Sequence, residues 1–146
     1  MRILVLADTH NHLPPQLDDL ASGVDEIWHL GDVVAPSLLE SVHSVGPPVT
    51  IVRGNCDANH EWPLIVDHER NGVRLRLIHI PPSQPPPKVA VLLHGHTNVP
   101  RDEMRDGVRF LNPGCVTRPN RGAPASVAHL EISETGALHW ELTRLR

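Results

Sequence analysis

Side chains that can bind divalent metals recur in this sequence where apolar, strand-like stretches end. The first stretch, residues 3–7, is followed by a carboxylate and an imidazole two positions apart, and four later stretches each lead into a carboxylate, an amide or an imidazole. Since ligands bind outside the carboxyl ends of strands in open α/β sheets, we expect these side chains to converge. The residues concerned are Asp8, His10, Asp32, Asn55, His79 and His96.

The set of donor atoms indicates the kind of metal site. Two carboxylates, three imidazoles and one amide oxygen suit two borderline divalent ions such as Mn, Fe, Ni or Zn, and they do not match a structural zinc site. Two metals about 3.5 to 4 Å apart are used in proteins to activate water and to clamp a phosphoryl group. The pattern therefore favours metal-assisted phosphoryl chemistry.

The first half of the chain predicts the elements that would position these ligands. Apolar runs at 3–7, 26–30 and 49–52 indicate strands, and the first is apolar enough to be covered on both faces. Amphipathic helices are predicted between them, over 17–24 and 36–45. The order strand, helix, strand, helix, strand predicts a parallel sheet with right-handed crossovers.

The second half of the chain is rich in strands. Runs at 64–66 and 73–78 flank Asn71-Gly72, a strong hairpin signal, so antiparallel strands are expected from here on. Residues 81–87 form a proline-rich connector that cannot hold a helix. Further strands are predicted at 89–93, 108–111, 126–132 and 137–142.

Composition limits the function classes. The 146 residues fit one domain, 1–146, and the formal charge of −4 without a basic run argues against stable nucleic-acid binding or an anionic membrane surface. No stretch approaches the roughly 20 apolar residues of a membrane span. Two cysteines, Cys56 and Cys115, cannot form a disulfide framework, so a reducing, cytoplasmic location is expected.

The ordered motifs resemble those of the calcineurin-like metallophosphoesterases, and the resemblance covers essentially the whole chain. Asn112-Pro113-Gly114 and the later Pro124-Ala125-Ser126 are similar to the C-terminal signature of the small YfcE-like phosphodiesterase subgroup. The family implies a four-layer α/β sandwich of two stacked mixed β-sheets flanked by helices, with the metals at the edge of the sheets. The motifs are Asp8-x-His10, Gly31-Asp32, Gly54-Asn55-x-Asp57, His79 and Gly95-His96-Thr97.

The resemblance also implies a role for each motif residue. Asp32 would bridge two ions, with manganese expected first, and a metal-bound hydroxide would attack the phosphorus of a small or nucleotide phosphodiester. A homodimer is also expected. The first metal would take Asp8, His10, Asp32 and Asn98, and the second Asp32, Asn55, His79 and His96. The expected catalytic residues are Asp32, Asn55, Asp57 and His96, and the expected substrate contacts are Asn55, Arg121 and His60.

Three positions depart from the usual family pattern. Asn98 stands where the family has a histidine, and a neutral amide is a weaker ligand for these metals, so the first metal is expected to be the more labile. Cys56 replaces a histidine that is a candidate acid for the leaving group, which disfavours esters with poor leaving groups. The proline-rich connector replaces a helix, so the substrate side is expected to be open.

Some of the same residues also fit other classes of protein. The string from Asp8 to His12 also resembles the opening metal motif of amidohydrolase and TatD-like barrels, but a TIM barrel typically needs 200 or more residues. A metallo-β-lactamase motif fails because Pro14 and Pro15 stand where Asp and His are needed. A non-catalytic scaffold with the same fold stays open, although six of seven expected ligands are present. His29 and His94 lie within strands, where core or ligand-supporting roles are expected.

Overall fold

The computed structural model describes residues 1–145, which form ten strands and two helices. Residue 146, the last of the predicted domain, lies outside the described residues. The elements in chain order are β1 (Arg2–Leu6), α1 (Leu17–Leu20), β2 (Glu26–His29), α2 (Pro36–His43), β3 (Val49–Ile51), β4 (Ile65–Arg70), β5 (Val73–Ile78), β6 (Val91–Leu93), β7 (Arg101–Arg105), β8 (Val108–Asn112), β9 (Ser126–Ile132) and β10 (Leu138–Arg144).

Two five-stranded sheets contain all of these strands. The first has the order β10-β9-β1-β2-β3 and the second the order β4-β5-β6-β8-β7. Strands β1, β2 and β3 are parallel, as predicted, while β9 pairs antiparallel with both β1 and β10. Both sheets are mixed, which confirms the predicted fold class.

The main core lies between the two sheets. Ile3 and Val5 of β1 meet Leu75 and Leu77 of β5 there, and all four side chains are fully buried. Alternate residues of β1, such as Leu4, face the opposite way and pack against the helices. Burial on both faces explains why the first strand reads as an uninterrupted apolar run.

Both helices cover the outer face of the first sheet. Leu17 of α1 and Leu39 and Val42 of α2 pack there with residues of β1 and β2. Helix α1 begins at Leu17 as predicted but ends at Leu20 instead of continuing to residue 24, because residues 21–23 form a turn that closes at Gly23, where φ is +73°. Neither helix is long and apolar enough to cross a membrane.

The second sheet departs from the sequence prediction in two ways. The β4–β5 hairpin forms across Asn71-Gly72 as predicted, but β5, β6 and β8 are parallel, so the expectation of antiparallel strands throughout was wrong. Long connections, including the proline-rich one, lead from β5 to β6 and from β6 to β8, and they make parallel pairing possible. Strand β7, of sequence RDEMR, was not predicted because it lacks an apolar pattern and is an edge strand paired with β8.

The outer face of the second sheet is covered thinly. A small cluster of Leu92, Val108 and Phe110 lies there, and the guanidinium of Arg101 stacks 4.4 Å from the Phe110 ring centroid. Residues 79–90 contain no helix, as predicted for the proline-rich connector. The outermost layer on this side is therefore a connector and not a helix.

Candidate metal centre

The candidate ligands stand on tight turns that follow the strands. Five of them have left-handed backbone, with φ of 55° at Asp8, 42° at His10, 60° at Asp32, 71° at His96 and 60° at Asn98. Such a conformation costs a non-glycine residue about 1 to 2 kcal/mol and persists only where the surroundings enforce it. Its concentration in these turns is typical of a functional site.

Two motif glycines allow the turns to approach one another. A Cβ atom at Gly54 would lie 2.1 Å from the Asp32 Oδ1 atom and 2.4 Å from its backbone nitrogen. A Cβ atom at Gly31 would lie 2.7 Å from the Nδ1 atom of His79. Any side chain at these positions would displace Asp32 or His79, so the glycines of the motifs serve close packing of the ligands.

Three ligand atoms converge in what we call the second ligand group, Asn55, His79 and His96. The Asn55 Oδ1 atom lies 2.9 Å from His79 Nε2 and 3.0 Å from His96 Nδ1. These three atoms come from the ends of three different strands, as predicted. Their spacing brings three potential metal-binding atoms together at one point.

A backbone carbonyl fixes the orientation of the His79 ring. Its Nδ1 atom donates to the Leu30 carbonyl at 2.7 Å, so its Nε2 atom points towards Asn55 and towards Asp32 Oδ2 at 3.3 Å. Burial lowers the pKa of His79, but the Asp32 carboxylate and the Leu30 carbonyl raise it above its ordinary value overall. The nitrogen and oxygen atoms that face one another in this way need a cation between them, either a proton or a metal ion.

Asp8, His10 and Asn98 form what we call the first ligand group. The Oδ1 atoms of Asp8 and Asn98 are both buried, and neither has a hydrogen-bond partner. Burial, opposed in part by His79, raises the pKa of Asp8 to about 7. His10 Nε2 lies 3.6 Å from Asp32 Oδ2, too far for a hydrogen bond. Unsatisfied buried oxygens of this kind fit metal ligands.

Asp32 lies between the two groups. Its Oδ2 atom faces both His10 and His79, while its Oδ1 atom accepts a hydrogen bond of 2.9 Å from the Cys56 backbone nitrogen. Burial acts to raise the pKa of Asp32, but the hydrogen bonds from His79 and Cys56 outweigh it and lower the pKa to about 2. The side chain is thus ionised and adjacent to both groups.

Asp57, expected to be catalytic, lies behind the ligands. One of its oxygens accepts hydrogen bonds from the backbone nitrogens of Asp32 and Gly54, at 2.9 and 2.7 Å, and the other accepts one from Val34 at 2.8 Å. Both oxygens are therefore engaged with backbone donors. This geometry corresponds to a residue that positions Asp32 and does not support direct contact with the reacting atoms.

Two further residues, His29 and Asn112, form hydrogen bonds with the turns that contain the candidate ligands. His29 accepts a hydrogen bond from the Gly31 nitrogen and bonds Thr9 Oγ1 at 3.0 Å, and burial lowers its pKa to about 3. This agrees with the supporting role expected for a histidine within β2. Asn112 donates to Thr97 Oγ1 at 3.0 Å and to the Gly95 carbonyl at 3.3 Å. The sequence marked Asn112 only as part of a motif and gave it no role.

Two clefts flank the ligands and contain the other expected substrate contacts. The apolar cleft, about 440 Å³, is lined by Arg53, Asn55, His60, Leu64, Ile65, Ile78, His79 and Ile80, among others. The polar cleft, about 590 Å³, is lined by His94, His96, Asn98, Arg101, Asn120 and Arg121, among others. His60 and Arg121 therefore lie in different clefts, each beside a different part of the ligand set.

Cys56 is exposed at the edge of the centre. Its sulfur atom, His10 and an Asp32 oxygen lie within 4.8 Å of one another. Burial and the Asp32 carboxylate raise the pKa of the thiol, which is opposite to what a cysteine nucleophile needs. A spectator role for this thiol agrees with the geometry.

Comparison with known proteins assigns the chain to a family. Residues 1–135 match the model of the calcineurin-like phosphoesterase superfamily domain. Phosphodiesterase YfcE of Escherichia coli (strain K12) is 30% identical over 161 residues, covering 90% of this chain and 88% of YfcE. The solved structure of YfcE, described as a phosphoesterase from E. coli, has a TM-score of 0.77 at 26% identity and covers both chains fully.

A second solved structure shares the fold. Vps29 of Entamoeba histolytica, solved in complex with zinc, has a TM-score of 0.76 at 21% identity, with 99% of each chain covered. The family match over residues 1–135 places the chain in the calcineurin-like phosphoesterase superfamily. With the resemblance to YfcE confirmed, the chain is a metal-dependent phosphoesterase, a hydrolase.

Proposed function

We propose that this protein is a dinuclear-metal phosphodiesterase acting on small or nucleotide phosphodiesters. The observation that carries the proposal is the arrangement around Asp32, whose Oδ2 atom faces the second ligand group on one side and a group with unpartnered buried oxygens on the other. Carboxylates, amides and imidazoles in this combination fit two divalent ions such as manganese. The relationship to YfcE, named a phosphodiesterase, supports the substrate class.

Each ligand has a defined task in this proposal. Asp32 would be shared by both ions. When bound, the two ions would lower the pKa of a water molecule and neutralise charge on the transferring phosphoryl group. Asp8, His10 and Asn98 would hold the first ion in addition to Asp32, and Asn55, His79 and His96 would hold the second in addition to Asp32.

The side chains around the ligands bind and orient the substrate. Arg121, in the polar cleft, and Arg53, at the rim of the apolar cleft, supply positive charge for the phosphate. His60 accepts a hydrogen bond of 2.9 Å from Arg53 through Nδ1, which leaves its proton on Nε2. That proton faces no partner within the described hydrogen bonds of His60, so His60 is the candidate donor to a leaving group in place of the absent histidine at Cys56.

The test measures metal content and turnover together. The purified protein should bind two equivalents of Mn²⁺ and hydrolyse bis(p-nitrophenyl) phosphate and a cyclic nucleotide only when Mn²⁺ is present. Asp32→Ala removes the shared ligand and should lower kcat/KM by about four orders of magnitude, equivalent to about 5.5 kcal/mol. Asp67→Ala, which removes an exposed carboxylate paired with Arg76 on the second sheet, is the matched control and should leave turnover unchanged. Turnover that is independent of metal or unaffected by Asp32→Ala would contradict the proposal.

A non-catalytic scaffold is the second candidate function. The fold is shared with Vps29, and Asn98 stands in place of a histidine ligand. The second ligand group argues against it, because a scaffold gains nothing from an amide oxygen held within hydrogen-bond distance of two imidazoles. Stoichiometric Mn²⁺ binding without turnover of any phosphoester would favour the scaffold.

The cellular location, the oligomeric state and the lack of stable nucleic-acid binding stay predictions. Cys56 and Cys115 are both free thiols, which agrees with a reducing, cytoplasmic compartment. A homodimer and the absence of stable nucleic-acid binding are predicted from sequence alone.

A further inference from the structure

The apolar cleft is where exposed hydrophobic side chains concentrate. Six large hydrophobic residues are exposed in the part of the chain that the structure describes, and three of them, Leu64, Ile65 and Ile80, line this one cleft. Their exposed fractions are 56%, 46% and 49%. Scattered exposed hydrophobics need no explanation, but a group of them around one concavity indicates a binding surface.

The cleft is continuous with the metal centre. Asn55 and His79, two members of the second ligand group, form part of its wall. A molecule whose phosphate lies at these ligands therefore reaches the apolar side chains without a change in the protein.

The rim of the cleft carries a fixed positive charge. The Arg53 Nη1 atom donates to His60 twice, at 2.9 Å to Nδ1 and at 3.3 Å to the backbone carbonyl. The backbone nitrogen of Arg53 also bonds the Pro63 carbonyl at 2.7 Å, next to Leu64. The guanidinium is thereby fixed to His60, and both residues line the apolar cleft.

We propose that the apolar cleft binds an aromatic or otherwise apolar ester group of the phosphodiester substrate. The inference rests on the proposed function and narrows its substrate class to diesters with at least one such group, for example an aryl or nucleobase-bearing ester. The cleft volume of about 440 Å³ is in the range of small-molecule sites. A second protein copy fits less well, because three apolar side chains fall far short of the roughly 20 to 30 residues a side of a standard interface.

The affinities of two phosphonates test binding in the cleft independently of hydrolysis. Phenylphosphonate and methylphosphonate carry the same anionic group and differ in the apolar part, and neither is hydrolysed. Calorimetry with the Mn²⁺-loaded protein should give a Kd for phenylphosphonate at least about tenfold lower than for methylphosphonate. Leu64→Ala and Ile80→Ala should each reduce this preference severalfold while leaving the Kd of methylphosphonate unchanged.

Matched controls come from exposed hydrophobics outside the cleft. Met104→Ala and Leu142→Ala truncate side chains that are 63% and 42% exposed on other strands, and both should keep the full preference for phenylphosphonate. Equal affinity of the two phosphonates, or equal effects of Leu64→Ala and Met104→Ala, would overturn the inference. So would a dimer that dissociates on Leu64→Ala while the preference is unchanged, because the cleft would then be an interface between copies.

The proposed function can fail separately from this inference. If the protein prefers phenylphosphonate through Leu64 but hydrolyses no diester, the cleft binds apolar groups and the proposed phosphodiesterase activity is wrong. If the protein hydrolyses diesters but shows no preference for phenylphosphonate, the proposed activity holds and the inference about the cleft is wrong.

Discussion

The two ligand groups on either side of Asp32 differ in how completely the protein prepares them. In the second group, Asn55 lies within hydrogen-bond distance of both His79 and His96, and a backbone carbonyl orients His79. In the first group, the Oδ1 atoms of Asp8 and Asn98 are buried without partners, although Asp8 Oδ2 accepts a hydrogen bond from the His96 backbone nitrogen. The second group is thus held together by contacts among its own members, whereas the first group contains oxygen atoms that contact no partner.

The difference has an energetic consequence. An unpartnered buried polar atom costs about 1 to 3 kcal/mol, and a buried charge costs more unless it is paired. In the second group a proton on His79 Nε2, which faces Asn55 Oδ1 and Asp32 Oδ2, can relieve this cost, whereas the first group needs a metal ion or protonation of Asp8. We therefore expect the stability of the metal-free protein to depend on the protonation state of Asp8.

The largest expected effect is on the stability of the metal-free protein, through Asp8. Its pKa is raised from 3.8 to about 7 in the fold, chiefly by burial. Between these two values the folded state holds a proton on Asp8 that the unfolded state has lost, so the contribution of Asp8 to stability should fall as pH rises, by about 1.4 kcal/mol for each pH unit. The buried His29, whose pKa is lowered to about 3, contributes in the opposite direction below its ordinary pKa. The difference in unfolding free energy between the parent protein and Asp8→Asn, measured in urea without metal from pH 4 to pH 8, therefore isolates the Asp8 slope.

Asp8→Asn isolates the contribution of this carboxyl group. Asparagine tolerates the left-handed backbone at this position, where φ is 55°. Relative to the variant, the parent protein should lose stability as pH rises and should be the less stable of the two at pH 8 without metal. Mn²⁺ should stabilise the parent more than the variant, because only the second group is unaltered in the variant. Parallel pH profiles of the two proteins would show that the first group carries no uncompensated charge, and the contrast between the groups would fail.

Next in size is the loss of one ion at a time. His79→Ala should weaken the tighter step of a Mn²⁺ titration by about 100-fold or more, since even a supporting group costs 10 to 100-fold. His10→Ala should abolish the weaker step and leave the tighter one intact. Calorimetric titration resolves both steps, and His139→Ala, at a histidine with a 68% exposed side chain, is the control. If His10→Ala removed the tighter step instead, the ranking of the two groups would be reversed.

How far the sequence predicts this site depends on the kind of feature. The ligands were predictable because each follows an apolar run, and a strand buried on both faces must deliver the next polar residue to the sheet edge. The role of Asp57 was not predictable, because a motif states that a carboxylate is present but not whether it faces a metal or three backbone nitrogens. Asn112 was missed for the same reason: its partners at 95 and 97 depend on tertiary packing.

The fold shows the same division. The parallel β1-β2-β3 core and the β4–β5 hairpin follow from local patterns and turn residues. The parallel pairing of β6 with β5 and β8 is set by where long connections cross, and strand β7 consists of charged residues and Met104 with no alternation to reveal it. Edge strands stabilised by ion pairs, such as that of Arg109 with Asp102, carry little signal in hydrophobicity.

The smallest expected effect repairs the first group. Asn98 has a buried, unpartnered oxygen and a φ of 60°, a conformation that histidine also adopts more readily than most residues. Asn98→His should therefore tighten the weaker Mn²⁺ step by about tenfold, equivalent to about 1.4 kcal/mol, because imidazole is the better ligand for these metals. The tighter step should be unchanged, since none of its ligands is altered.

Asn120→His provides the matched control for this substitution. Asn120 lines the same polar cleft, and its backbone nitrogen donates to the Asn98 carbonyl at 3.0 Å, but its side chain is not among the candidate ligands. A gain of affinity in both variants would mean that an added imidazole in the cleft suffices and that position 98 is not special. An unchanged weaker step in Asn98→His would remove residue 98 from the ligand set, and the first group would then hold its ion with Asp8, His10 and the shared Asp32 alone.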